Sequence, residues 1–177
     1  MSNIVYIATS LDGYIAGPNN EMDWLHQVPN PDGSDFGFAD FMASVDALVM
    51  GRNTFEMVLS FGVEWPYNKP VFVLSNTLKS VPEGYQDKVF LVQGALPTVV
   101  EQLHQQGYQR LYIDGGKTVQ SFLAEDLIDE MIITTIPVLL GAGIPLFGSL
   151  PKTLNFKHIH AQRLADHMVK NHYVRVR

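Results

Sequence analysis

The sequence contains no cysteine, which removes disulfide frameworks, thiolate nucleophiles and cysteine-ligated zinc from consideration. Basic residues are scarce: 12 Lys and Arg stand against 18 Asp and Glu, for a net charge of −6. Wholesale binding to a nucleic-acid backbone needs a broad cationic surface and is not expected. No uninterrupted apolar run is long enough to cross a bilayer. The opening MSNIVYIATS has neither the basic segment nor the apolar stretch of a signal peptide. Charged residues make up 17% and hydrophobic ones 46%, so the composition supports a buried core rather than a disordered chain. With 177 residues, the expectation is one domain, 1–177, soluble and cytoplasmic.

The familiar fingerprints are missing as well. Gly116-Lys117-Thr118 looks like the end of a P-loop, but that motif needs a glycine where Leu111 stands. Gly141-Ala142-Gly143 could open a dinucleotide fingerprint, yet Leu146 replaces the third glycine and Pro145 interrupts. There is no Gly-x-Ser-x-Gly elbow for a serine hydrolase. His158-Ile159-His160 places two imidazoles on one face of a predicted strand, a zinc-like spacing without a third ligand. That pair is read as a solvated ribbon edge, and no metal is expected.

What is present is an alternation of short apolar runs with stretches of helical spacing. Asn3–Thr9, Ala47–Met50, Val71–Ser75, Val89–Val92, Leu111–Ile113 and Glu130–Ile136 read as strands. Ser34 or Asp35 caps a predicted helix through Ser44, with Phe38, Phe41 and Met42 at helical spacing. Thr54–Leu59, the stretch from Pro97 to Gly107, and Lys117–Ala124 are further helices. Val28–Asp35 and Gly141–Gly148 are loops. The tail, Phe156–His160 and His167–Arg177, predicts an antiparallel ribbon. The whole reads as an α/β fold: a mostly parallel central sheet, helices on both faces, and the ribbon at one edge.

Two strand-to-helix junctions carry glycine: Gly51-Arg52-Asn53-Thr54 and Gly115-Gly116-Lys117-Thr118. Such a junction aims backbone N–H groups outward from the positive end of a helix, which suits phosphate, and Arg52 adds a fork of donors. Ligands of such sheets sit outside the carboxyl ends of the strands, where both junctions lie. Asp12, Asp23 and Asp35 are the acids considered for delivering the proton that accompanies a hydride. Asp12 also suits a turn, and Asp35 a helix cap. Tyr14, Trp24 and Phe55 are candidates for a flat wall against an aromatic ring.

Ser10-Leu11-Asp12-Gly13-Tyr14-Ile15-Ala16, Met22-Asp23-Trp24, Met50-Gly51-Arg52-Asn53-Thr54-Phe55-Glu56, Val73-Leu74-Ser75, Ile113-Asp114-Gly115-Gly116 and the run from Ile136 to Phe147 follow one another in this order. In that order they resemble the dihydrofolate-reductase-like superfamily. Within it, the chain looks most like the branch sharing the C-terminal reductase domain of riboflavin biosynthesis proteins. The resemblance implies a three-layer sandwich with NADPH lying across the carboxyl ends of the central strands. Gly51, Arg52, Asn53 and Thr54 would hold phosphates, Arg52 favouring the 2′-phosphate, with Ser75 and Asn76 along the adenosine. Gly115 and Gly116 match the family's paired glycines, often joined by a cis peptide, at the pyrophosphate. Lys117, Thr118 and Val119 would extend that contact. Ala8 and Gly17 would lie near the nicotinamide, under a loop carrying Trp24.

Asp35, with Asp12 second, is read as the proton relay, and Tyr14, Trp24 and Phe55 as substrate contacts; the resemblance adds that Asp35 stands near the acid that binds the pterin ring in dihydrofolate reductase. The implied activity is NADPH-dependent reduction of a small heteroaromatic or carbonyl compound. Pterins, folates and the pyrimidine of 5-amino-6-(5-phosphoribosylamino)uracil reductases fall in that range. The other class considered is a non-catalytic nucleotide-binding or sensing protein that keeps the cofactor site. A homodimer is implied too. Two departures stand out: Tyr14 replaces the basic residue that usually follows Ser-x-Asp-Gly, and the cysteines of a fused zinc deaminase are absent.

Overall fold

The computed structural model describes the whole chain, Met1–Arg177. It runs β1 (Ser2–Ser10), β2 (Tyr14–Ala16), α1 (Asp23–His26), α2 (Phe38–Ser44), β3 (Ala47–Gly51), α3 (Arg52–Ser60), β4 (Val71–Leu74) and β5 (Val89–Val92). Then follow α4 (Leu96–Gln105), β6 (Arg110–Asp114), α5 (Gly116–Ala124), β7 (Glu130–Ile136), β8 (Ile144–Pro145), β9 (Asn155–Leu164) and β10 (Met168–Val176). Eight strands form one sheet in the order β5-β4-β3-β6-β1-β7-β10-β9. The first six in that order are parallel; β10 and β9 add the antiparallel ribbon expected at one edge.

Alternation along the strands decides which face each residue covers. Val5, Val49 and Ile113 point to the side of α4 and α5, where they meet Val99, Leu103 and Phe122. Ile4, Leu48, Met50 and Tyr112 point the other way, onto Phe41 and Met42 of α2 and Phe55 of α3. The result is three layers, helix–sheet–helix, each apolar face closed by an amphipathic helix. No helix is long and apolar enough to cross a membrane.

Three expectations change. The predicted loop 141–148 contains β8, which pairs antiparallel with β2. No cis peptide bond occurs, so Gly115–Gly116 is trans. His158 and His160 do not share a face. A register shift opposite His172/Tyr173 leaves Ile159 unpaired, so His160 faces His172 while His158 faces Tyr173. Successive strand residues point to opposite faces, and the extra residue flips one imidazole across the ribbon. His158 then bonds Asn171 at 2.9 Å, and His172 bonds Glu130 at 2.9 Å.

Candidate active site

β3 and β6 lie side by side with Met50 opposite Asp114, and each passes through a glycine into a helix. The two junctions interlock. A Cβ on Gly51 would stand 2.8 Å from the Thr118 hydroxyl, and one on Gly115 would overlap the Thr54 hydroxyl. Each glycine therefore makes room for the threonine of the opposite helix. Gly115 also has φ +96°, which side chains rarely adopt. No side chain caps α3 or α5, so the orphan N–H groups of two neighbouring helix ends face the same space.

That space opens over β4 and β5 as a groove of about 310 Å³, lined by Gly51, Ser75, Asn76, Gly94, Lys117 and Thr118 among others. Asn53 is exposed beside it. Arg52 sits at its margin: Nε donates to Glu56 Oε1 and Nη1 to Thr77 Oγ1, both at 2.7 Å. The Thr77 amide donates in turn to Ser75 Oγ at 3.2 Å, joining Arg52 to the groove wall. Val119 drops out of the predicted set. Its side chain is fully buried and its amide donates to the Gly115 carbonyl, so nothing is left for a ligand.

On the other side of Gly115 a cavity of about 480 Å³ lies over β6, β1 and β7, with the segment 25–38 as its far wall. Ala8 lines it, as do Tyr6, Phe36, Phe38, Asp35 and Asp114. Asp35 accepts the amides of Gly37 and Ala39, each at 2.9 Å. It thus both caps the approach to α2 and faces the cavity. Those amides, with help from Lys170, hold its carboxyl below the usual range. An ionised Asp35 suits a hydrogen-bond acceptor better than a proton donor.

Asp114 has the opposite chemistry. Burial pushes its carboxyl up to about 6 even though the Gly115 amide donates to it at 2.8 Å. Asp114 was not among the acids expected to deliver the proton, although it stands in the run Ile113-Asp114-Gly115-Gly116. The available signal was alternation: Asp114 shares the face of Tyr112, two residues before it, and that face looks toward α2 and Asp35.

Four predicted residues lie elsewhere. Phe55 is buried in the core, edge-on to Trp65 at 6.0 Å, because α3 turns that face onto the sheet. Tyr14 packs over the Gly143 turn, and Trp24 bonds the Glu21 carbonyl and packs beside Ile136 and Met168; neither lines the cavity. Gly17 closes a turn, donating to the Glu21 carbonyl at 2.9 Å. The aromatic wall is built instead by Tyr6, Phe36 and Phe38.

Asp12 is a fastening, not a relay. Its carboxylate takes the Ser10 hydroxyl at 2.6 Å and the amides of Leu140 and Gly141 at 3.2 and 2.8 Å. The Ser10 bond first, then the two amides, lower its pKa. A carboxylate lowered in the fold adds stability above its unfolded pKa and loses it as pH falls through the folded value. Asp12→Ala is therefore expected to melt earlier than wild type at neutral pH. Melts repeated down to about pH 3 check it, since the difference should shrink there.

Groove and cavity together run along the carboxyl ends of β5, β4, β3, β6, β1 and β7, five strand spacings or roughly 24 Å. The architecture is that of the dihydrofolate-reductase-like proteins. The chain belongs to the RibD C-terminal domain family, which matches residues 3–170. It is 37% identical over 176 residues to the uncharacterized protein YwjB of Bacillus subtilis, covering 97% of both chains. A crystal structure from Shewanella sp. PV-4, named provisionally as a riboflavin biosynthesis protein, is 58% identical with TM-score 0.98 over 100% of both chains. RibD of Acinetobacter baumannii shares the fold at 20% identity and TM-score 0.73, over 99% of this chain and 58% of that one.

Proposed function

We propose that the protein is an NADPH-dependent reductase acting on a small heteroaromatic or carbonyl compound. The observation that carries this is the pair of interlocked, uncapped helix ends at Gly51 and Gly115, with the groove on one side and, on the other side of Gly115, a cavity that holds Asp114. A dinucleotide fits these residues. The backbone amides of α3 and α5 with Lys117 suit the pyrophosphate, and Ser75 and Asn76 the adenosine. The glycines let the ligand backbone approach where a Cβ would stand in the way.

When bound, NADPH supplies a hydride from nicotinamide C4, and the acceptor gains one proton beside it. The chain orients the two partners around Ala8 and delivers that proton from the Asp114 carboxyl, its raised pKa keeping a protonated fraction near neutral pH. Asp35 accepts an N–H of the acceptor and fixes its orientation. NADPH oxidation with a panel of pterins, pyrimidines and small carbonyl compounds tests the reading. Tight NADPH binding without turnover of any of them would favour a sensing protein instead.

Arg52 carries the choice of cofactor. Its guanidinium leaves Glu56 for a 2′-phosphate at little expense, since the pair is exposed. Arg52→Ala is expected to weaken NADPH about ten-fold and NADH hardly at all, because it removes one charge-assisted contact. Fluorescence titration of both cofactors measures it, and equal weakening would overturn the role.

A further inference from the structure

Three Asp-Gly pairs occur in the chain, Asp12-Gly13, Asp32-Gly33 and Asp114-Gly115, and there is no Asn-Gly. Such a pair has a chemistry of its own. Glycine has no side chain to shield its amide nitrogen or restrict its backbone, so the nitrogen can reach the aspartate Cγ and close a succinimide ring. The N–Cγ bond forms and one water leaves. Water then reopens the ring at either carbonyl, restoring aspartate or giving isoaspartate, in which the main chain runs through Cβ and Cγ. Mass and redox state are unchanged overall.

The fold treats the three pairs differently. The Asp12 carboxylate is held by the Ser10 hydroxyl and the amides of Leu140 and Gly141, bonds that ring closure would break. Asp114 ends β6 in register with Met50, and Gly115 is wedged against Thr54, so their shared peptide cannot rotate without leaving the sheet. Asp32 is exposed in the loop before α2, and no hydrogen bond or ion pair reaches its carboxylate. Gly33 is exposed too, with φ +62° and nothing within 4 Å of where a Cβ would stand. Its amide makes one long bond, 3.2 Å to the Asn30 carbonyl.

The surroundings of Asp32 give that chemistry a consequence. Asn30 lines the cavity and holds Ser34 twice: Nδ2 donates to the Ser34 carbonyl at 2.7 Å, and Oδ1 accepts the Ser34 amide at 3.0 Å. Ser34 Oγ in turn accepts the Phe36 amide at 3.0 Å. Phe36 also lines the cavity, at φ +55°, a conformation that bulky side chains rarely adopt. An extra methylene in the main chain between Asn30 and Ser34 puts their paired bonds out of register and weakens the support of Phe36.

We propose that Asp32 is a site of spontaneous isoaspartate formation, the one Asp-Gly pair of the three that converts in the folded protein, and that conversion loosens the cavity wall while sparing the groove. The modification stands on the loop alone; assigning wall to acceptor and groove to cofactor rests on the reductase reading.

The test is to hold the folded protein for weeks at about 37 °C and about pH 6, then digest and map it. Methyl transfer from labelled S-adenosylmethionine by an isoaspartyl methyltransferase counts the product peptide by peptide. Isoaspartate at Asp32 is expected to exceed that at Asp12 and at Asp114 at least ten-fold. A smaller margin, or none at Asp32, overturns the site. Asp32→Glu keeps the charge but lengthens the side chain, and should accumulate no product in this loop; labelling that persists there also overturns it. The isomerised fraction, separated by chromatography, should exchange the Ser34 and Phe36 amide hydrogens at least three-fold faster than fresh protein. It should bind NADP⁺ as fresh protein does. Unchanged exchange, or NADP⁺ affinity lost in step with conversion, overturns the consequence. Failure of the reductase reading would show separately, as fresh protein that binds no NADP⁺, and leaves the count at Asp32 untouched.

Discussion

Gly115→Ala is expected to weaken NADPH binding by about 100-fold or more and to destabilise the fold by roughly 2–4 kcal/mol. Two effects add. The new methyl group overlaps the Thr54 hydroxyl, and the backbone at φ +96° becomes strained. A contrast with Gly51→Ala separates them. Gly51 has φ −81°, open to any residue, so there the only difficulty is the Thr118 hydroxyl 2.8 Å away. Thr118→Ala should therefore rescue the stability of Gly51→Ala almost fully, whereas Thr54→Ala should rescue Gly115→Ala only in part. Thermal melts of the four variants and two doubles, with NADPH titrations alongside, measure both cycles. Equal rescue at the two sites would mean that strain at Gly115 is unimportant.

Asp114→Asn should slow reduction by about 10²–10⁴-fold, the usual worth of a positioned proton donor, because an amide cannot release a proton. The same change should stabilise the protein. A carboxyl raised to about 6 resists ionisation in the fold, so ionising it there costs stability that the unfolded chain does not lose. That penalty is absent below about pH 4 and complete above about pH 6, where it amounts to at most about 3 kcal/mol. The variant's advantage should grow across that window and be complete above it. The wild-type rate should fall as pH rises past about 6, and the variant's residual rate should not follow it. A wild-type profile flat through that range would take Asp114 out of the proton path.

A loss of activity with a gain of stability is what an acid held for function predicts, and it contrasts with Asp12. Asp12 was legible as a turn residue, and its bond to Ser10 is of that kind, but its bonds to Leu140 and Gly141 tie the turn to a distant loop. The sheet was also legible, because β-branched runs separated by helical spacing leave few alternatives. So was the groove: Gly51, Ser75, Asn76, Lys117 and Thr118, all expected from the sequence, line one space. The cavity was not. Its wall is assembled from Tyr6 on β1, Phe36 before α2 and Asp114 on β6, residues far apart in the chain whose meeting depends on strand order. Phe55 shows the limit differently. An aromatic residue one turn into a helix can face ligand or core, and only the packing of α3 on β3 and β4 decides it. The flip of His158 depends on a single unpaired residue, Ile159, which no periodicity announces.

The position of β1 has a consequence for how the molecule is made. It precedes the other strands of the sheet in the chain, yet it sits in the middle, between β6 and β7. At roughly 5–20 residues per second, Ser2–Ser10 waits on the order of 5–20 s for β6 to emerge. Meanwhile β3, β4 and β5, contiguous in sequence and parallel, have each other. Before β6 emerges, three of the eight strands can pair with one another while the apolar β1 still lacks both of its neighbours. Protection of that strand by a chaperone, or a slow late docking step, is built into the order of the elements.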